Sequence, residues 1–91
     1  MDIIYGACAG LDVHKQSVSA CVRCIDSDGK VSSSVREFPT MTDDLLRMGD
    51  WMTAQGVKRV AMESTGVYWQ PIWNLLEHQF DLMLCNAREV K

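Results

Sequence analysis

The sequence has few of the features that mark unfolded, membrane-spanning or secreted chains. Only two of its 91 residues are proline and six are glycine, so it is neither a low-complexity linker nor a collagen-like repeat. No apolar run approaches the roughly 20 residues that span a bilayer. Residues 1–5 have neither the basic start nor the long apolar stretch of a signal peptide. We therefore expect a cytoplasmic protein.

An excess of basic residues is also missing. The chain has nine Lys and Arg residues and twelve Asp and Glu residues, which gives a net charge of −3. A protein that holds nucleic acid by phosphate contacts alone is expected to be basic. If this chain contacts nucleic acid, metal ions or another segment must therefore supply the positive charge.

Cysteine is present, but not in the arrangement of a zinc site. Cys21 and Cys24 have the spacing of a zinc knuckle, yet they lie in an alternating pattern typical of a strand. Residues three apart on a strand point to opposite faces. No second Cys or His pair completes a site, so we expect the four cysteines to be free, buried thiols.

What the sequence does contain is the pattern of one small α/β domain. With 47% hydrophobic and 23% charged residues, the chain has ordinary globular composition. Hydrophobic periodicity predicts strands over 7–13, 17–25, 30–38, 57–63 and 80–85, with a helix after the third strand and another after the fourth. The order β-β-β-α-β-α-β implies an antiparallel meander followed by right-handed crossovers. We expect a mixed sheet with the first strand at its centre and the fourth beside it, in parallel.

The two helices show apolar faces and end signals. For the first helix, Thr40 or Thr42 is a candidate N-cap and Gln55-Gly56 is a stop signal. Its core-facing stripe is predicted to be Met41, Leu45, Met48 and Met52. The apolar face of the second helix is predicted to be Trp69, Ile72, Trp73 and Leu76.

Two carboxylates stand out because each ends an otherwise apolar strand. Asp12 closes the first predicted strand and Glu63 closes the fourth. If these strands are parallel neighbours, both acids project from the same end of the sheet, and adjacent strands lie about 4.8 Å apart. Carboxylate oxygens suit Mg²⁺ or Mn²⁺, and two such ions can assist phosphodiester cleavage. The residues alone leave another interpretation open, in which Asp12 caps a turn and Glu63 caps a helix.

Three segments, in order, resemble motifs of bacterial insertion-sequence transposases with a RuvC-like, DEDD-type domain. They are Gly-Leu-Asp-Val-His-Lys at 10–15, Met-Glu-Ser-Thr-Gly-Val-Tyr-Trp at 62–69 and Leu-Cys-Asn-Ala-Arg-Glu-Val-Lys at 84–91. The resemblance implies an RNase H-like fold and metal-dependent DNA strand cleavage and transfer that moves an insertion sequence.

The resemblance also assigns roles. Asp12 would be the first acidic ligand, bridging two Mg²⁺ or Mn²⁺ ions, and Glu63 the second. The family's other two acids and its C-terminal serine are expected beyond Lys91. Residues 1–91 are therefore expected to be a partial catalytic domain of a longer recombinase, inactive alone. The partners that the resemblance implies are DNA, a structured guide RNA and other copies of the chain, in the bacterial nucleoid.

Four residues are candidate nucleic-acid contacts. Lys15 follows the first motif, and Thr65 lies where a helix N-terminus attracts phosphate. Arg88 and Lys91 belong to the third motif. Each has an ordinary alternative, such as a solvated lysine, a helix cap or a frayed tail.

Two other functions remain as alternatives. The actin-like ATPase and sugar-kinase fold also opens with a hairpin after Gly-x-Asp, but its phosphate loop favours glycine two residues after the aspartate, where this chain has His14. The second alternative is an inactive association module. In that case we expect apolar surface around Trp69, Trp73 and Phe80 to drive self-association.

Overall fold

Five strands and two helices follow one another in the predicted order in the computed structural model, which describes residues 6–85. The strands are β1 (Gly6–Val13), β2 (Ser17–Ile25), β3 (Val31–Pro39), β4 (Val57–Ser64) and β5 (Asp81–Cys85). The helices are α1 (Thr42–Ala54) and α2 (Trp69–Leu76). The predicted elements are thus confirmed, with strand ends that differ by at most one residue. No helix in this described part is long and apolar enough to cross a membrane.

The sheet has the strand order β3-β2-β1-β4-β5, with β1 at its centre. β1 pairs antiparallel with β2 and parallel with β4, and β4 pairs parallel with β5. The turn at Asp26 closes the β2–β3 hairpin, where the Asp26 carboxylate accepts hydrogen bonds from the N–H groups of Asp28 and Lys30, both at 2.9 Å. The predicted mixed sheet and the central position of the first strand are confirmed.

Both helices pack on one face of the sheet. On β1 the core side chains are Ala9, Leu11 and Val13, which alternate with exposed or half-buried residues. They form one apolar cluster with buried residues of both helices, which are Leu45, Met48 and Met52 of α1 and Ile72 and Leu76 of α2. No described element covers the opposite face, which we call the open face. This face carries Cys8, Gly10 and Asp12 of β1 and their register partners on the other strands.

A glycine allows the two helices to approach each other. A Cβ atom on Gly49 of α1 would lie 3.3 Å from Leu76 Cδ2 and 3.1 Å from Gln79 Oε1. These separations are shorter than ordinary carbon contacts. Glycine costs about 1 kcal/mol relative to alanine within a helix. The close contact between α1 and α2 explains why it is present here.

The predicted start of α1 was wrong. The helix begins at Thr42, Met41 occupies the N-cap, and no side chain makes a capping hydrogen bond there. The Thr40 hydroxyl instead donates to the carbonyl oxygen of Lys15 at 3.2 Å, which ties the strand end to the β1–β2 turn. Met41 is 65% exposed and so lies outside the core stripe, whereas the rest of the predicted stripe is buried. The predicted stop is confirmed, since Gln55 is the C-cap and Gly56 has φ of 87°.

The expected apolar surface around the tryptophans is only partly present. Phe80 is buried, which contradicts that expectation, because it reaches back against the α1–α2 contact. Trp69 and Trp73 stack edge to face with ring centroids 5.8 Å apart and pack against the core. The most exposed large apolar side chains of the sheet are instead Val35 and Met83, which lie on the open face.

The cysteines are free as predicted, but the expectation that they are buried was wrong, because Cys8 is exposed and the other three are half-buried. Cys24 packs against the core, whereas Cys21 belongs to the open face, so the two thiols point away from each other. The four cysteines are free in the described structure.

We expect Leu76→Ala to lower the free energy of unfolding by about 2–5 kcal/mol, because Leu76 is fully buried between α2 and α1. Urea titration followed by tryptophan fluorescence measures the change. Leu46→Ala is the matched control, since Leu46 is 45% exposed on α1, and its effect should stay below about 1 kcal/mol. Equal effects of the two substitutions would contradict the packing described here.

Candidate metal centre

A bulge in β4 places Glu63 on the open face. Ala7 pairs with Val57, but Cys8 pairs with Arg59, so Lys58 has no partner on β1. Because strand side chains alternate between faces, the extra residue reverses the face of everything that follows it. Val57 and Val60 are therefore both buried in the core, although they are three residues apart. Without the extra residue, Glu63 would point toward the helices.

Asp12 and Glu63 are register partners on neighbouring parallel strands. Both are exposed at the carboxyl ends of β1 and β4, and both belong to the open face. Neighbouring strands are separated by about 4.8 Å, so the two carboxylates start from adjacent backbone positions. The prediction that these two acids lie together at the same end of the sheet is confirmed. Like charges this close repel each other unless a cation lies between them.

His14 contacts the first of the two acids. Its Nε2 atom lies 3.2 Å from Asp12 Oδ2, and the side chains are 51% and 58% exposed. The backbone N–H of His14 donates to the carbonyl oxygen of Ser17 at 2.9 Å, which closes the turn between β1 and β2. The imidazole is thus held beside the carboxylate by a hairpin. The sequence analysis missed this contact, although residues two apart at a strand end point to the same side.

The neighbours of the two acids form a row across the sheet, which we call the acidic row. From β3 to β5 its members are Glu37, Ser19, Asp12, Glu63 and Cys85, each paired in register with the next. Asp12, Glu63, Ser19 and Cys85 line a depression on the open face, whose floor includes Gly10 and Ala61. A hydrated cation and a substrate can therefore approach the acids from the open face.

The donors present are suited to a hard divalent cation. Two carboxylates side by side supply the oxygen ligands that Mg²⁺ and Mn²⁺ prefer. In the described residues no group of three or more His, Cys, Asp and Glu side chains is arranged to hold a metal. Asp12 and Glu63 thus fit part of a ligand set rather than a closed metal cage.

The alternative capping roles of the two acids have no support in the described structure. α2 begins at Trp69, well beyond Glu63, and its N-cap Tyr68 makes no side-chain capping bond. The side-chain contact seen at Asp12 is the one with His14. Both acids are left available to a ligand from the open face.

Two of the four predicted nucleic-acid contacts lie near the end of the sheet that carries the two acids. Lys15 is exposed in the turn that follows β1, and Thr65 is exposed in the bend that follows β4. Each is within three residues of one of the acids. Arg88 and Lys91 lie outside the described residues.

Two arginines of the open face were not predicted to be functional residues. Arg23 and Arg59 flank Cys8 in register, and Arg59 Nε lies 3.7 Å from Asp81 Oδ2. The alternation of β2 does predict that Arg23 lies on this face. The bulge that turns Arg59 to the same face leaves no clear signal in the sequence.

Solved structures of the Ppx/GppA family from Aquifex aeolicus are similar to this chain. The crystal structure of the family member has a TM-score of 0.56 at 14% identity, over 93% of this chain and 36% of that one. A PPX-GPPA enzyme structure gives 0.53 at 16%, over 93% and 37%, and the type II variant of the phosphatase gives 0.54 at 14%, over 90% and 36%. This chain therefore spans little more than a third of each. At such identities the likeness shows a shared fold alone.

A comparison with curated proteins gives no match. A family model described as a transposase, of the DEDD type named for IS110, matches residues 9–91. The matched segment contains both acids, the bulge between them in sequence and both helices. It confirms the resemblance carried by the three motifs, and the described fold is compatible with the RNase H-like fold expected of it. The chain belongs to the IS110-type family of DEDD transposases.

Proposed function

We propose that this chain is the first part of a transposase catalytic domain, in which Asp12 and Glu63 hold divalent cations for DNA strand cleavage and transfer. The observation that supports this most strongly is the register pairing of the two acids on the open face of a transposase-family fold. The longer protein would use this chemistry to move an insertion sequence. Its site of action would be the bacterial nucleoid.

Asp12 and Glu63 would hold Mg²⁺ or Mn²⁺, two ions in the longer protein. Such ions stabilise the attacking and leaving oxygens of a phosphodiester in an in-line displacement. Asp12 on the central strand would be the first acidic ligand and Glu63 on the neighbouring parallel strand the second. Since the described residues supply only these two ligands, we propose that the remaining acids of the DEDD set and the serine lie in further chain. Residues 1–91 alone would then be inactive.

The neighbouring residues would position the nucleic acid. Lys15 and Thr65 lie in the two segments that leave the strands next to the acids, where a scissile phosphate would approach. Arg88 and Lys91 are proposed to contact DNA farther along the chain. A net charge of −3 supports a requirement for cations at the acids before DNA can approach them.

A structured guide RNA and further copies of the chain are proposed as additional partners. Self-association is supported by the exposed apolar side chains of the open face, Val35 at 65% and Met83 at 61% exposure. These residues, rather than the buried Phe80, would carry such contacts. A role as an association module alone would use the same surface without the acids.

A phosphate-binding domain of the actin-like type is the second candidate, because the Ppx/GppA structures have that fold. The first turn argues against it. Residues 14–16 contain no glycine, and the His14 imidazole stands against Asp12, where a phosphate loop needs free backbone N–H groups. We expect calorimetric titration of ATP into the chain already saturated with Mg²⁺ to give no further saturable heat. Stoichiometric nucleotide binding that Asp12→Asn abolishes would favour this candidate instead.

We expect Mn²⁺ and Mg²⁺ to bind this chain and to stabilise it. At about 100 times its dissociation constant, a ligand adds about 2.7 kcal/mol to the free energy of unfolding. Asp12→Asn and Glu63→Gln should both remove this gain, measured by calorimetry and by thermal unfolding. In EDTA, Glu63→Gln should instead raise stability by roughly 0.2–1 kcal/mol, because it relieves repulsion between paired like charges.

The matched control for the metal prediction is Glu37→Gln. Glu37 lies in the acidic row, but Ser19 separates it from Asp12. The variant should keep metal binding at the parental level. Metal binding that survives Asp12→Asn, or that is lost equally in the Glu37 variant, would reject the proposed ligands.

In the longer transposase, Asp12→Asn should reduce strand cleavage by more than about 100-fold. The comparison value is the 10–100-fold loss caused by removing groups that only orient a metal ligand. A gel assay on supercoiled DNA with Mn²⁺ measures the nicked product. Activity of the Asp12 variant within a few-fold of the parent would contradict the assignment.

A further inference from the structure

The arginines of the open face form a second charged row, parallel to the acidic row. Arg23 of β2 pairs in register with Cys8 of β1, and Cys8 pairs with Arg59 of β4. We call Arg23, Cys8 and Arg59 the arginine row. Strand alternation puts Cys8 on the same face as Asp12 and Arg59 on the same face as Glu63, and the β4 bulge makes this the open face.

The two rows are separated by one row of uncharged residues, which are small on the three central strands. From β3 to β5 this middle row contains Val35, Cys21, Gly10, Ala61 and Met83, again in register, and its two outer members are exposed apolar side chains. Space above Gly10 is open, since a Cβ atom there would meet nothing within 4 Å. Asp12 lies four positions after Cys8 on β1, which corresponds to about 13 Å. A ligand that lies along the strands can therefore reach both charged rows over a low floor.

Both guanidinium groups are available to a ligand. Arg23 is exposed, and the Arg59 side chain is 84% exposed. The contact between Arg59 and Asp81 is long, at 3.7 Å, and both groups are solvated. An exposed ion pair of this kind is weak, so Arg59 can exchange Asp81 for another anion. The carboxylate of Asp81 nevertheless competes with any anion that Arg59 binds.

The other described arginines are engaged on the helix side of the molecule. The Arg36 guanidinium lies over the rings of Phe38 and Trp51, at 5.3 and 5.2 Å from their centroids. Arg47 Nη1 donates to Asp44 Oδ1 at 2.9 Å on α1. In the part of the chain that the structure describes, Arg23 and Arg59 are thus the arginines that face the same side as the acid pair.

We infer that Arg23 and Arg59 bind the phosphodiester backbone of nucleic acid about 13 Å from the acid pair, and so hold the strand along β1. This rests on the proposed function, which places the scissile phosphate at Asp12 and Glu63. Guanidinium forks suit phosphate oxygens. Successive phosphates of the same DNA lie within this distance, because a duplex carries one charge per about 1.7 Å of its axis. The acids would hold the reacting phosphate and the arginine row the flanking backbone.

The test is DNA binding by the chain without cleavage, measured by fluorescence anisotropy in EDTA at roughly 50 mM salt. Arg23→Gln and Arg59→Gln should each weaken binding about tenfold and lower the slope of log K against log salt by about 0.9. Asp81→Asn should tighten binding several-fold, because it removes the competing carboxylate. Arg47→Gln, which removes the same charge from α1, should change none of these values beyond twofold.

Thiol footprinting tests the position of the strand. Bound DNA should protect Cys8 and Cys21 from alkylation by N-ethylmaleimide, whereas Cys24, packed toward the helices, should show no added protection. Duplex RNA of the same sequence serves as a second arm. If RNA protects these two cysteines and DNA does not, the phosphodiester backbone that the arginines bind is that of RNA.

The inference fails if the chain binds neither nucleic acid, if Arg47→Gln is as damaging as the Arg23 and Arg59 variants, or if Cys8 stays reactive in the complex. These outcomes are independent of the proposed metal site. Asp12→Asn and Glu63→Gln remove metal binding if the proposed function is right, whatever the arginine variants do. Conversely, loss of DNA binding in the arginine variants would stand even if the acids bound no metal.

Discussion

The parallel pairing of β1 with β4 is the constraint on which the rest of the structure depends. β1 is the central strand, and its register with β4 makes Asp12 and Glu63 partners although 51 residues (63 − 12) separate them in sequence. The unpaired residue at Lys58 is essential to this result, because it reverses the alternation of β4 and turns Glu63 from the helix face to the open face. The buried residues of β4 hold the register in place. Val60 and Met62 are almost fully buried beneath the helices, and a slip of one residue would expose them and bury the acid.

One face of the sheet packs the hydrophobic core, and the other carries the charged side chains. α1 and α2 cover one face and build the core from aliphatic, methionine and aromatic side chains, with Gly49 allowing their close contact. The other face carries charge in separate rows, with carboxylates at one level, small residues at the next and arginines beyond them. An acidic site needs cations before it can accept DNA, and a basic row at a distance can hold the same DNA without neutralising the acids. This separation is how a chain with a net charge of −3 could work on a polyanion.

Much of this architecture was predictable because local patterns and the global fold agree. The alternation of β2 and the apolar stripe that ends at Met52 each predict the element that the structure contains. The convergence of Asp12 and Glu63 followed from strand order and from the ends of two apolar runs. The start of α1 was mispredicted, because Thr40 bonds to the β1–β2 turn instead of capping the helix. Phe80 is buried by a contact between elements far apart in sequence. The position of Arg59 in the arginine row depends on the β4 bulge, which no single residue of the sequence indicates.

The most direct measurement of the central claim is the effect of Mn²⁺ on the amide NMR spectrum of this chain. A paramagnetic ion held by Asp12 and Glu63 together should broaden the signals at the ends of β1 and β4 in parallel, at the same ion concentration. The signals of α1 around Met48, on the far side of the sheet, should remain sharp. Broadening at one strand end without the other, or strongest broadening at Asp43 and Asp44 on α1, would contradict a shared site at these two acids.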